Sequence, residues 1–225
     1  EINRKRAEHI ITIEDPVEFV FKDKRCIINQ RSLGQDALSY SRALKAALRE
    51  DPDVIVLGEL RDLETIEIAL HAAETGHLVI STLHTLDAKE TINRIISVFP
   101  PEEQNRIRTV LASVLEAIVS QRLIKAKDGG RVAAVELMFM TERIASMIAE
   151  SKERYIQEVI EEGEIYGMQS FDQALLNLFI QGKIDYEEAL KNATSRSDLQ
   201  LKIKHIIEQQ RSQSHSGGGI FELKT

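Results

Sequence analysis

The 225-residue sequence holds a single cysteine, Cys26, no tryptophan, four prolines and 5% aromatic residues. One cysteine excludes an internal disulfide framework and any multi-cysteine zinc site within the chain. Scarce proline favours helices over loops. No apolar run reaches the roughly eighteen residues that a membrane span requires, and the opening segment EINRKRAEHI lacks the apolar block of a signal peptide. No direct membrane insertion is expected, so any membrane association must run through partners. A surplus of positive charge is missing too. The formal net charge of −7 argues against a nucleic-acid surface, because duplex binding is dominated by phosphate neutralisation. A single nucleotide needs only a few local cations. With 43% hydrophobic and 29% charged residues, the composition fits a soluble, cytoplasmic chain with one substantial core and room for a smaller satellite.

The stretch richest in chemistry is LREDPDVIVLGELRD, residues 48–62. Four consecutive apolar residues, 54–57, are entered through Asp51-Pro52-Asp53 and left through Gly58, which predicts a central parallel strand buried on both faces. Ligands of such sheets sit beyond the carboxyl ends of the strands. Gly58 allows the backbone to turn or to approach a ligand closely, and Glu59 then stands at the rim, where a carboxylate polarises a water or works through Mg²⁺. Arg49 and Arg61 flank it in sequence; phosphate binding and surface ion pairing are both open to them.

Two further segments have the same logic. In ITIEDPVEFVF, residues 11–21, Glu14, Asp15 and Glu18 surround Pro16 at the end of an apolar strand. Carboxylates so close together repel unless Mg²⁺ or an arginine offsets them. In GHLVISTLHTLDA, residues 76–88, a short apolar strand leads into hydroxyls that include Thr82 and then to His84, a side chain able to donate to a phosphate or to a neighbouring subunit. His77, at the start of that strand, is read as structural.

Taken together, these motifs resemble the secretion ATPase superfamily of type II secretion and type IV pilus systems. The Leu48-Arg49 pair, Pro52-Asp53, the apolar run and Gly58-Glu59-x-Arg61-Asp62 match its atypical Walker B motif, residues 11–21 its Asp box, and residues 76–88 its His box. The resemblance implies a RecA-like P-loop NTPase core, an α/β fold of mostly parallel sheet with flanking helices, followed by a C-terminal helical region. It implies ATP and Mg²⁺ as cofactors, the metal held through nucleotide and carboxylates and not by a protein cage. Glu59 would be the catalytic carboxylate, Glu14 and Glu18 would help orient water and metal, and His84 would sense the γ-phosphate. Asp15, Gly58, Thr82, Arg49 and Arg61 would line the nucleotide, with arginines supplied by a neighbouring subunit; Arg94 and Arg122 are further candidates for that role. The absence of zinc cysteines and the likeness of GMQSFDQALLNLFIQGKIDYEEAL, residues 167–190, point to the pilus retraction branch. That branch implies a homo-hexamer working with an inner-membrane pilus platform protein and related motor ATPases. The alternatives are an assembly or type II secretion ATPase, or a non-catalytic ring subunit driven by an active paralogue. One departure lies at RIASMIAE, residues 143–150, where Ala145 and Ala149 stand in place of the branch's usual arginines.

The pattern divides the chain into a core over residues 1–140, helices over 141–211 and a Gly-rich flexible tail over 212–225. Strands are predicted at residues 10–13, 26–29, 54–57 and 77–82, and helices at 40–49 and 63–74. A long helix is predicted over 102–119 behind Pro100-Pro101, then a hairpin of 120–125 and 131–140 around Asp128-Gly129-Gly130. Capping boxes are expected at Ser170/Gln173 and Ser197/Gln200, with Asp185 as an acidic variant. No GxxxxGK[ST] occurs in the sequence, although such a loop is what cradles β- and γ-phosphates. The expectation is therefore a fragment that starts after the P-loop and has no ATPase activity by itself.

Overall fold

The computed structural model describes residues 1–216, with side chains through Gln209. After a short helix, α1 (Ile2–Lys5), the chain enters β1 (His9–Glu14), whose four middle residues are buried. Burial on both faces requires a neighbour on each side, and the sheet supplies them in the order β2-β1-β3-β4, all parallel, with β2 at Ile27–Ser32, β3 at Val54–Leu57 and β4 at Leu78–Ser81. Helices α2 (Tyr40–Ala47) and α3 (Leu63–Glu74) provide the crossovers between these strands.

One face of the sheet packs Ile11, Ile13, Ile55 and Leu57 against Leu44 and Ala47 of α2 and Ala69 and Ala72 of α3. On the other face Ile10, Val54 and Cys26 are buried with Ile2 and Ile28 beside them. Both helices start where their sequence says they should. Ser39 accepts a hydrogen bond from the Arg42 backbone N–H at the head of α2, and Asp62 accepts from the Thr65 backbone N–H (2.9 Å) and hydroxyl (2.8 Å) at the head of α3. Helices α4 (Ala88–Ser97) and α5 (Pro101–Val114) follow.

The long helix expected over 102–119 stops at Val114, and strand β5 already begins at Ala117 (Ala117–Lys125), paired with β6 (Arg131–Phe139). From Ala117 the burial alternates, with Ile118 and Ser120 inside and Val119 and Gln121 outside. Alternation with β-branched residues is strand chemistry, and here it overrides a helical reading. Helix α6 (Glu142–Ala149) then packs on α5, and a 3₁₀ turn (Glu153–Tyr155) brings Glu153 to an ion pair with Arg108 of α5. Burial pushes the Arg108 guanidinium below its usual range. The remaining helices are α7 (Ile156–Glu162), α8 (Phe171–Ile180), α9 (Tyr186–Asn192) and α10 (Arg196–Ser216).

The chain forms two compact units that interleave in sequence: one holds Glu1–Ile118 with Met140–Ile156, the other Val119–Phe139 with Gln157–Thr225. The hairpin thus belongs with the later helices and residues 140–156 with the sheet, unlike a single cut after residue 140. In the second unit Leu175 and Leu178 join Phe171, Ile184, Leu190, Leu199 and Ile203 in a core, with Leu176 and Phe179 half-buried at its margin, while Ile180 is exposed. Ser170 and Gln173 form the expected capping box. At α10 the pairing is Ser195 with Asp198 (2.6 Å), two residues earlier than the expected Ser197/Gln200. Asp185 precedes α9 without a capping hydrogen bond. The helix α10 continues through Ser216 into the expected tail, whose residues 217–225 lie outside the described residues.

Candidate active site

Parallel strands in register bring their carboxyl ends to one rim: Ile13 pairs with Leu57, and Leu57 with Ser81. Glu14, Gly58 and Thr82 follow these residues and share that edge. Gly58 N–H donates to the Ile13 carbonyl (2.8 Å), the Thr82 hydroxyl to the Gly58 carbonyl (2.6 Å), and Leu60 N–H to the Thr82 carbonyl (3.0 Å). These bonds tie the loop after β3 to its neighbours on both sides, so Glu59 is set by backbone and not by chance.

Glu59 is only 9% exposed. Its Oε2 is shielded from solvent, 2.6 Å from Arg61 Nε and 3.3 Å from His84 Nε2, yet neither contact meets hydrogen-bonding angles. A buried carboxylate oxygen without an aligned donor is costly and uncommon in a folded chain. Contact with Glu59 holds the Arg61 guanidinium above its ordinary range. Arg61 and His84 are themselves largely in solvent, with His84 85% exposed, so both can swing towards a ligand. A second shielded atom, Ser81 Oγ at the end of β4, also lacks a hydrogen-bond partner among the described residues.

Of the Asp-box carboxylates, Glu14 is fixed: Oε1 accepts from the Thr12 hydroxyl (2.5 Å) and from Gln30 Nε2 (3.1 Å). Asp15 and Glu18 are exposed on the loop beyond it. Gln30 also grips that loop, donating to the Phe19 carbonyl (2.9 Å) and accepting from Phe21 N–H (2.7 Å). His77 bonds the Ala72 carbonyl (2.9 Å) and contacts the Thr75 hydroxyl, a structural setting as expected.

Arg49 is not brought to this rim. It lies between the end of α2 and the start of β3, at the amino edge of the sheet, where it lines a groove of about 650 Å³ with Lys45, Glu67 and Arg106. Neighbours of Glu59 in sequence need not be its neighbours in space, because the strand between them carries the chain across the sheet. Arg94 is exposed on α4. Arg122, in the second unit, lies over the Phe171 ring at 3.8 Å from its centroid. Two residues that sequence reasoning passed over belong to the rim: Gln30, which holds Glu14, and Tyr40, the first residue of α2. Burial, then the charges of Glu59 and Asp15, raise the Tyr40 phenol above its usual range.

A family model described as type II/IV secretion system protein matches residues 1–129. The chain belongs to that family. Among relatives of this secretion-system protein, the type IV pilus retraction ATPase PilT of Pseudomonas aeruginosa is 49% identical over 192 residues, 85% of this chain and 56% of the relative. A twitching motility protein of Neisseria gonorrhoeae is 48% identical over 199 residues, 88% of this chain and 53% of the relative. A crystal structure of the pilus retraction motor PilT with bound ADP matches with a TM-score of 0.80 at 48% identity, covering 88% of this chain and 56% of that one. The family member described above thus has the α/β fold of these ATPases and spans about half the length of the curated relatives it matches.

Among the described residues no three His, Cys, Asp or Glu side chains converge into a metal cage. The donor set fits Mg²⁺ only in its usual phosphate-bound form, where one or two carboxylates complete a shell supplied mainly by nucleotide and water. Glu59 and Glu14 are the rim carboxylates placed to do so.

Proposed function

We propose that this chain carries the hydrolytic half of an ATP-driven motor subunit that powers type IV pilus retraction. The observation that carries this reading is Glu59: a carboxylate at the carboxyl rim of β3, with one shielded oxygen lacking an aligned donor and with Arg61 and His84 beside it. A water that enters there gives that oxygen the donor it lacks, and the carboxylate takes the water's proton as it attacks the γ-phosphate. His84 and Arg61, free at their outer ends, turn to the phosphate oxygens, where charge builds up in the transition state. Bound Mg²⁺ would neutralise the β- and γ-phosphates. Gln30 keeps Glu14 directed at the same water and metal shell, and Asp15, Glu18 and Thr82 border it.

The working assembly is a homo-hexamer in the cytoplasm, attached to the inner membrane only through a pilus platform protein and acting beside related pilus motor ATPases. Arg49, facing away from Glu59 of its own subunit, serves a neighbour. Support comes from relatives whose names refer to pilus retraction and twitching motility. No helix among the described residues is long and apolar enough to cross a membrane. The test is ATP turnover by the native protein and its Glu59→Gln variant: hydrolysis should collapse while nucleotide affinity persists. Normal turnover by the variant would overturn the assignment.

A further inference from the structure

Gly58 lies directly beneath the ring of Tyr40. A Cβ placed on Gly58 would stand 2.5 Å from the Tyr40 hydroxyl oxygen, 3.4 Å from Tyr40 Cζ and 3.4 Å from the Ile13 carbonyl oxygen. Real Cβ contacts do not come as close as the first of these, whereas the other two are tight but tolerable. The phenol oxygen therefore occupies the space that any side chain at position 58 would claim, one residue before Glu59. Its ring is held from behind, because Tyr40 opens a helix whose Ala43, Leu44 and Ala47 are buried against the sheet. The groups whose charges act on the hydroxyl are the carboxylates of Glu59, Asp15 and Glu14 and the guanidinium of Arg61. In these surroundings the phenol keeps its proton, so it offers both an O–H and an acceptor lone pair without adding another negative charge beside Glu59.

We propose that Tyr40 is a positioning residue for ATP hydrolysis: its hydroxyl fills the space left open by Gly58 and holds the attacking water against Glu59. The inference rests on the reading of Glu59 as the hydrolytic carboxylate. A water fixed at two points has one hydrogen on Glu59 Oε2 and the other on the phenol oxygen, which leaves a lone pair for the γ-phosphorus. As the new P–O bond forms, the bond from the γ-phosphorus to the bridging oxygen breaks, its electron pair leaves on ADP, and the water's proton passes to Glu59. Tyr40 gains and loses nothing, acting only through the water and its base. Gly58 is required because only a residue without a Cβ lets the hydroxyl sit there.

The experiment measures kcat, KM for ATP, ADP affinity and melting temperature on the native protein with Tyr40→Phe, Gly58→Ala, both together, and Glu59→Gln. Phenylalanine keeps the ring and loses only the oxygen. Tyr40→Phe is expected to lower kcat by about ten- to a hundredfold, with KM, ADP affinity and melting temperature unchanged, as befits a misplaced reacting water. Gly58→Ala should be at least as damaging alone, yet add little on the Tyr40→Phe background, where the oxygen it would strike is gone. An unchanged kcat in Tyr40→Phe, or a loss that tracks melting temperature or KM, would overturn the positioning role. Full additivity of the two substitutions would overturn the shared space. Wild-type turnover in Glu59→Gln would instead bring down the underlying assignment of the carboxylate.

Discussion

Two buried acids, one in each unit, show what separates a structural carboxylate from a reactive one. Asp172, near the start of α8, is 5% exposed, and both of its oxygens are served: Oδ1 accepts from Thr194 N–H (2.7 Å) and Oδ2 from Ser195 N–H (2.8 Å). Glu59 is buried nearly as deeply, but its Oε2 faces Arg61 and His84 without an aligned hydrogen bond. Asp172 ties the segment between α9 and α10 to the head of α8, and nothing is left for a ligand to satisfy. Glu59 is held by its backbone while its acceptor stays open. Burial alone marks neither; the difference lies in whether the donors are already inside the fold.

The comparison breaks most sharply in function. Glu59→Gln should lower ATP turnover of the native protein by roughly 10²- to 10⁴-fold, the span of a lost general base, with no fall in melting temperature. Asp172→Asn should leave nucleotide affinity untouched. Stability reverses the order. Asp172→Ala strands two backbone N–H groups, and chemical denaturation should report a loss of about 2–4 kcal/mol, with a transition confined to the second unit if the units unfold separately. A smaller effect is expected at the same helix start, where Ser170→Ala removes half of a capping box and should cost about 1 kcal/mol in the same assay. The smallest concerns pH. The Tyr40 phenol is raised in the folded state, so the folded chain binds that proton more tightly than the unfolded one. Its contribution is fully present below about pH 10 and is lost as pH rises through the folded value. Melting curves of Tyr40→Phe should therefore fall less steeply than wild type on the alkaline side; identical slopes would place the phenol in ordinary solvent.

Much of the sheet can be read from the chain because its signals are local. Val54 to Leu57 is a pure apolar run between turn residues, and the strand has those bounds; Asp62 announces α3 and caps it with two bonds. Glu59 and His84 could be singled out because they directly follow such strands. Where signals compete, the reading slips. Leu111 and Ile118 are both buried, one by helical and one by strand periodicity, and the switch between them at Leu115 is not encoded by any proline or glycine. At α10 a serine lies at both 195 and 197, and only the partner of its hydroxyl decides which one begins the helix. Tyr40 and Gln30 were illegible for a different reason: neither is near Glu59 or Glu14 in sequence, and their roles exist only once parallel strands have been brought into register. Arg49 is the converse case, close in sequence and carried away by the strand.

The interleaving of the two units has a consequence for anyone who cuts the chain. The polypeptide passes from one unit to the other after Ile118, returns at Met140 and leaves again after Ile156. No single nick can release either unit intact, since each is assembled from non-contiguous segments. Cleavage at any one passage should leave two pieces that co-purify and separate only under denaturant. A deletion series stepping inward from the carboxyl end would strip helices from their hairpin before it reached a natural boundary, so its soluble products would report on stranded β-strands more than on the motor.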